Sequence, residues 1–510
     1  MATTAAEKVR ADFHGAGPTA GLDYDDDHVL RSPSLRFAVA GNPYTVTAGK
    51  HASEEARRLI AAVDAVLAQR AANVEALEIS FVYSSGSNMY IPLPSGGFYM
   101  FPHAHAGDII SAHVAAWLRF AERRVTGSFT LALPTLSRGR RTAAPAATAA
   151  CPWAAAALTV PAAGAGAFAA LGDLLLSHAR VEPGGADERN IGRLLSAGCC
   201  PRLRRLRLEH VAGLAALRLD AAATLEELRL HGLGDMTSLE VDAPGLRALR
   251  VTWCFKMVDD GSAARITAPA LETMACDSMC GRERLRFDGA AAVRRLEKVF
   301  LYADGPPGGV AWNAGSVGLL QRCTAADTLA VEIAPFQPND DATEELMGLV
   351  PVLPNVTSLA IDAERAHIEA SIATFIAKCT QVEHISINIG STCVLPCMRP
   401  QCFCHRQDGW DWDGMKISLK RLREATITGF RPLEHHRSLA GLIIAGAPAL
   451  EKMTVKSCVG KELDGSLPCD RGHWARCVSG DSACAPVYEW TPDKKTEEED
   501  SAAGVIMSRF

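Results

Sequence analysis

The sequence predicts an α/β fold in which short parallel strands stack side by side as a repeat solenoid. Three observations carry this reading. A phrase Leu-x-x-Leu-x-Leu returns along the chain, as Leu203, Leu206, Leu208, then Leu225, Leu228, Leu230, then Leu246, Leu249, Val251. Weaker copies precede it at Val74, Leu77, Ile79 and at Leu171, Leu174, Leu176, and follow it at Leu271, Met274, Cys276 and Leu296, Val299, Leu301. Still later copies are Leu329, Val331; Val356, Leu359, Ile361; Val382, Ile385, Ile387; Ala425, Ile427; and Leu450, Met453, Val455. Most intervals are roughly 21 to 32 residues, which overlaps the leucine-rich-repeat period and runs beyond it. A single repeat cannot bury its own apolar face, so neighbours stack into one continuous core. The expected architecture is a leucine-rich-repeat horseshoe with a parallel strand ladder and helices on the convex side.

The elements follow in order. Residues 1–55 are poorly patterned and include an acidic run from Asp23 to Asp27. Residues 56–170 read as irregular N-terminal repeats with low-complexity insertions. Within them Ile60, Val63 and Leu67 share one helical face, and the first strand phrase follows at Val74. A tract rich in Pro, Gly and Ser over 84–107 reads as an insertion. Val114 to Phe120 reads as helix, and Phe129, Leu131 and Leu133 alternate as a strand ending at Pro134. Residues 171–365 hold the main repeats. Residues 366–458 hold terminal repeats with a Cys-rich insertion at 390–416. There Ile368, Ile372, Phe375, Ile376 and Cys379 make one helical face, and Leu439, Leu442 and Ile443 make another. Residues 459–510 read as a C-terminal tail, charged and polar over 491–502. Segments starting at Leu214 and Leu239 fall between the main phrases and read as strands on the convex side. Periodicity alone leaves open which set lines the inside.

Bulk properties narrow the partners. The net charge of −6 gives no general pull toward nucleic acid or anionic membranes. The stretch between Arg141 and Asp173 carries no charge and is long enough to span a bilayer. It is mostly Ala and Gly and holds Pro145, Pro152 and Pro161, so it reads as a low-complexity insert leading into a strand near Leu158 and Val160. No basic start followed by an apolar run opens the chain. The expectation is a cytoplasmic or nuclear protein whose 16 cysteines are reduced and largely act as small hydrophobes.

Three stretches carry a family resemblance. The phrase HVAAWLRFAERRVTGSFTLALP (113–134), the run from Leu203 to Arg250 with APGLRAL at 243–249, and SLKRLREATITGFRPLEHHRSLAGLIIAGAPALEKMTV (418–455) succeed one another. In this order they resemble the plant F-box/leucine-rich-repeat proteins that end in an FBD domain. The resemblance runs over roughly residues 74–456. It implies substrate capture for a cullin-type ubiquitin ligase, with the repeats holding the substrate and an F-box docking a Skp-type adaptor. The family's Leu-Pro-rich F-box opening and Ser-Arg-Arg-Trp phrase do not occur in this sequence, so adaptor docking is doubtful. The alternative is a stand-alone repeat scaffold with no role in ubiquitination.

Strand alternation predicts where a partner binds. In each phrase the leucines point inward and the residue between the last two points out. That row reads Arg207, Arg229, Arg250, Ala275, Phe300, Ala330, Ala360, Ser386, Thr426, Thr454. Two residues earlier come Arg205, Glu227, Ala248, Thr273, Lys298, Thr328, Ser358, His384, Glu424, Lys452. The candidate partner-binding residues are therefore Arg205, Arg207, Glu227, Arg229, Arg250, Lys298, Phe300 and His384. Stacked arginines can receive carboxylates or phosphates, and Phe300 is an aromatic anchor. The plain alternative is a solvated face, with Arg205 partly neutralised by Glu227.

Cys393, Cys397, Cys402, Cys404 and His405 are the densest metal-type cluster, but their spacing fits no usual zinc motif. Reduced thiols on a loop are the favoured reading there. The sets Cys469, His473, Cys477, Cys484 and His103, His105, His113 are weaker still. No phosphate loop, nucleophile elbow or zinc-protease motif occurs. The chain is expected to be a protein-binding module, not an enzyme, with no cofactor.

Overall fold

In the computed structural model, each of the three strongest phrases ends in a strand whose alternate side chains face opposite ways. Leu206, Leu208, Leu228, Leu230, Leu249 and Val251 are all at most 1% exposed, so one face of each strand is core. The structure describes residues 11–12, 32–38, 50–81, 90–92, 98–100, 111–133, 156–158, 168–181, 191–192, 194–196, 198–220, 224–255, 262–276, 285–305, 313–335, 344–363, 368–389, 412, 414–431, 433–457, 467–468, 471–477 and 486–493. They form a mixed α/β chain dominated by parallel strands, divided into two compact units, Met1–Ala292 and Val293–Phe510.

The first unit contains, in order, β1 (Ser34–Ala38), α1 (Lys50–Gln69), β2 (Val74–Ser80), α2 (Ser111–Arg124), β3 (Val125–Ala132), β4 (Asp173–Ser177) and β5 (Arg205–Glu209). Next come β6 (Ala216–Leu219), β7 (Glu227–His231), β8 (Ser238–Asp242), β9 (Ala248–Thr252), β10 (Ala263–Thr267), β11 (Thr273–Cys276) and β12 (Leu285–Asp288). Strands β1-β2-β3-β4-β5-β7-β9-β11 pair in parallel in that order. The intervening strands form a second parallel sheet, β6-β8-β10-β12. Between residues 205 and 288, then, the segments starting at Leu214 and Leu239 return through strands and not helices. Their sequences ALRL and SLEVD alternate with period two, which suits a half-buried strand. Helices α1 and α2 enter before β2 and β3. Ile60, Val63 and Leu67 are buried along α1, and Trp117 of α2 donates its indole N–H to Asp64 Oδ1 at 2.8 Å.

The second unit contains β13 (Arg295–Tyr302), α3 (Ala314–Arg322), β14 (Thr328–Ala334), β15 (Ser358–Asp362), α4 (Glu369–Ile376), β16 (His384–Asn388), β17 (Glu424–Phe430), α5 (Glu434–Gly446) and β18 (Lys452–Ser457). It ends with β19 (Gly472–Cys477) and β20 (Val487–Pro492). Strands β13 to β18 pair in parallel in chain order. Among the described residues, helices α3, α4 and α5 carry the returns that lead into β14, β16 and β18. Ile368, Ile372, Phe375, Ile376 and Cys379 are completely buried, but so are Glu369, Ala370, Ser371 and Ala373, so α4 is buried on nearly every side and not on the single face that spacing predicts. Asn313 extends the ladder with its side chain. Its Oδ1 accepts the Tyr302 amide at 2.8 Å and its Nδ2 donates to the Tyr302 carbonyl at 2.9 Å.

The last strands differ from expectation. Residues 459–510 were expected as a tail, yet β20 pairs antiparallel with β18, and β19 pairs antiparallel with β20. Tyr488 and Trp490 alternate into the core of this closure and are 2% and 3% exposed. A two-strand antiparallel addition covers the edge that β18 would otherwise leave unpaired. Cys199, Cys200, Cys254, Cys276, Cys323 and Cys379 are buried, as small hydrophobes are. Burial pushes the thiols of Cys200, Cys323 and Cys379 up to about 12, too high for ready reactivity. Among the described residues no helix is long and apolar enough to cross a membrane.

Candidate functional site

In the first unit the outward positions of the strands line up as expected. Arg207, Arg229, Arg250 and Ala275 are register partners across β5, β7, β9 and β11. The row before them reads Asp173, Arg205, Glu227, Ala248 and Thr273. The charges within these rows are not idle. Arg205 pairs with Asp173 through two hydrogen bonds, its Nε lying 2.6 Å from Oδ1. It is thus Asp173 on β4, and not Glu227, that gives Arg205 its ion pair, and this pairing pushes the guanidinium pKa up. Glu227 instead faces two arginines of the next row, Arg207 at 3.3 Å and Arg250 at 3.7 Å. Arg229 reaches Glu209 at 3.3 Å. Four arginines (Arg205, Arg207, Arg229, Arg250) against three carboxylates (Asp173, Glu209, Glu227) leave +1. The face is a nearly balanced lattice of ion pairs, each arginine at least 36% exposed.

At the ends of these strands the backbone makes a repeated left-handed step that the residue pattern did not announce. His178, His210, Gly232 and Trp253 each follow the last residue of a strand, and their φ angles are 57°, 54°, 66° and 56°. The ladder continues through the step, for the amides of His178, His210 and Gly232 donate to the carbonyls of Glu209, His231 and Thr252 on the next strand. At Gly232 a Cβ would lie 2.4 Å from His210 Nδ1, so a side chain there needs the His210 ring to move. His178 and His210 stack at 4.8 Å, and His210 meets His231 edge-on at 4.8 Å. Burial lowers the His210 pKa against the raising influence of Glu209. Trp253 is 67% exposed. A bulky residue held at positive φ with its ring in solvent is an outlier worth a functional reading.

The second unit corrects the predicted rows. A bulge separates the Leu296–Leu329 and Val299–Val331 pairs, and Lys298 takes a left-handed φ of 52° within it. Phe300 therefore pairs with Glu332 and not with Ala330, and it meets Tyr302 edge-on at 5.0 Å. Beyond the bulge the rows run as expected, Thr328, Ser358, His384, Glu424, Lys452 and Ala330, Ala360, Ser386, Thr426, Thr454. His384 Nδ1 lies 3.5 Å from Glu424 Oε2, both well exposed.

A second constellation lies between α4 and α5, and no sequence motif marks it. Glu369 opens α4 and is completely buried, and His435 and His436 stand in the first turn of α5. His436 Nε2 is 3.0 Å from Glu369 Oε1, and His435 Nε2 is 3.7 Å from the same oxygen. His436 Nε2 is thus within hydrogen-bond distance of Oε1, while no hydrogen-bond partner is found for Oε2 among the described residues. The Arg431 amide donates to His436 Nδ1 at 3.0 Å, which leaves the His436 proton on Nε2. Burial pushes the Glu369 carboxyl up, but the hydrogen bond from His436 and the charge influence of His436 and His435 outweigh it, and the net direction is down. The only sequence signal was the His-His pair inside the 418–455 phrase. Its partner Glu369 is too far along the chain for spacing to suggest it.

The other metal-type sets fare differently. Cys393, Cys397, Cys402, Cys404 and His405 lie outside the described residues, as do His103, His105, Cys469 and Cys484. His113 sits on α2, its Nε2 3.9 Å from Asp64 Oδ2 and its ring stacked on Trp117. His473 and Cys477 lie on β19. No protein-family model and no curated protein matches this chain.

Proposed function

We propose that this chain is a leucine-rich-repeat protein-interaction module, and that the outward rows of β5, β7 and β9 are its partner face. The observation that supports this most is the arginine lattice with Trp253 beside it. Arg207, Arg229 and Arg250 are held in one register row, half-engaged by Glu209 and Glu227 and still open to solvent. Such arginines are pre-oriented, and a partner carboxylate can replace an internal one without ordering a new side chain. Trp253 supplies the aromatic anchor that tends to dominate protein interfaces. The finer architecture we propose is the horseshoe, with helices on the convex side in the second unit and strands in their place between residues 205 and 288.

By its resemblance to F-box/leucine-rich-repeat/FBD proteins, the module captures substrates for a cullin-type ubiquitin ligase. The test is affinity purification of the full chain beside Arg207→Glu/Arg229→Glu/Arg250→Glu and Trp253→Ala forms. Each variant is expected to lose the same captured proteins while keeping the parent circular dichroism spectrum. Capture unchanged in both variants would remove the partner face from these strands. Stoichiometric Skp-type adaptor and cullin among the captured proteins supports the ligase role, and their absence beside a captured partner leaves the stand-alone scaffold.

A further inference from the structure

We propose that Glu369, His435 and His436 form a site for one divalent transition-metal ion, zinc by preference, which ties α4 to α5. The argument starts from the distances. In a tetrahedral zinc site with bonds of about 2.0–2.1 Å, neighbouring donor atoms stand roughly 3.3–3.4 Å apart. The two imidazole nitrogens lie 3.0 Å and 3.7 Å from Glu369 Oε1, on either side of that value, and one donor atom from each residue falls within 4.8 Å of the others. One His436–Glu369 hydrogen bond at 3.0 Å leaves the second buried carboxylate oxygen without a hydrogen-bond partner among the described residues, although all three residues converge on one small volume.

Burial strengthens the case. Glu369 and His436 are 0% and 1% exposed, and a carboxylate so placed needs a positive charge beside it. The donor set is two imidazoles and one carboxylate, which suits zinc and is poor in the oxygen ligands that calcium and magnesium demand. The His435 side chain keeps 19% of its surface exposed, so that side offers the path for the ion and for a water as fourth ligand. In the metal-free arrangement Nε2 of His436 carries the proton, because Nδ1 accepts from Arg431. Metal binding moves that proton from Nε2 to Nδ1, and the Arg431 amide bond is given up. The Arg431 amide bond and the His436–Glu369 hydrogen bond are thus exchanged for coordination by three side chains.

The test uses the full chain, stripped by a chelator and titrated with zinc alone against a chromophoric competitor. One zinc per chain is expected. Glu369→Gln keeps the shape of the side chain, and it and His435→Gln are each expected to weaken binding at least about tenfold. Cobalt in the unsubstituted chain gives a second readout that needs no variant. It should show tetrahedral ligand-field absorption without thiolate-to-metal charge transfer, and zinc should shift the Arg431 amide resonance. No uptake, or uptake that survives both substitutions, overturns the proposal. Thiolate charge transfer also overturns it, since that puts cysteine among the ligands.

Discussion

Glu227→Gln separates what the arginine lattice does for the fold from what it does for a partner. The Glu227 side chain is 20% exposed and faces Arg207 and Arg250, each 36% exposed. Coulomb attraction between unit charges near 4 Å is about 4 kcal/mol at an effective dielectric constant of 20. Solvent reaches the arginines, however, and pairs of this exposure contribute only about 0.2–1 kcal/mol each once screening and side-chain ordering are included. Two pairs give about 0.4–2 kcal/mol, to be read as the loss in urea-unfolding free energy. The same substitution takes the local balance of four arginines and three carboxylates from +1 to +2. A partner with an acidic surface should then associate faster, with a steeper fall as salt rises. The assay is stopped-flow or surface-capture kinetics of the purified partner at several ionic strengths. A stability loss above about 3 kcal/mol would mean that the pairs behave as buried ones, and an unchanged association rate would mean that the row does not face the partner.

Other outcomes follow from the same geometry. Leu228 is fully buried between Leu206 and Leu249, so Leu228→Ala should cost about 2–5 kcal/mol in urea unfolding, and a loss under about 0.5 kcal/mol would refute the register. Gly232→Ala places a Cβ at positive φ and against His210. It should cost at least about 1 kcal/mol, and a neutral result would refute the left-handed step. The His210 pKa is lowered from 6.5 in the folded chain, so the fold favours the neutral ring. Its contribution is present above pH 6.5 and is lost as pH falls through the lower folded value. His210→Gln should flatten that acid-side loss of thermal stability, and an unchanged profile would assign it to other groups.

Much of the fold could be read from residue types, because burial on one face of a strand demands an apolar residue at every second position. Leu206, Leu208, Leu228 and Leu230 announced their strands, and Ile372, Phe375 and Ile376 announced the helix α4, though not its burial on nearly every side. The arginine row followed from the same alternation, since Arg207, Arg229 and Arg250 occupy the positions opposite the leucines. Where the signal was absent or local, reading stopped. Tyr488 and Trp490 carry too short an alternation to distinguish β20 from a loop, and its pairing partner β18 is some 30 residues earlier. The bulge at Lys298 shifts Phe300 by one row with no glycine or proline to mark it.

What the sequence determined alone is the repeating strand and its two faces, since a periodic need for burial leaves a periodic record. What only the tertiary structure decided are the pairings between residues distant in sequence. Asp173 with Arg205, Glu227 with Arg207 and Arg250, and Glu369 with His435 and His436 all join different repeats. Charge and ligand geometry act through space over a few ångströms, and a linear pattern does not encode which repeats the chain brings within that reach.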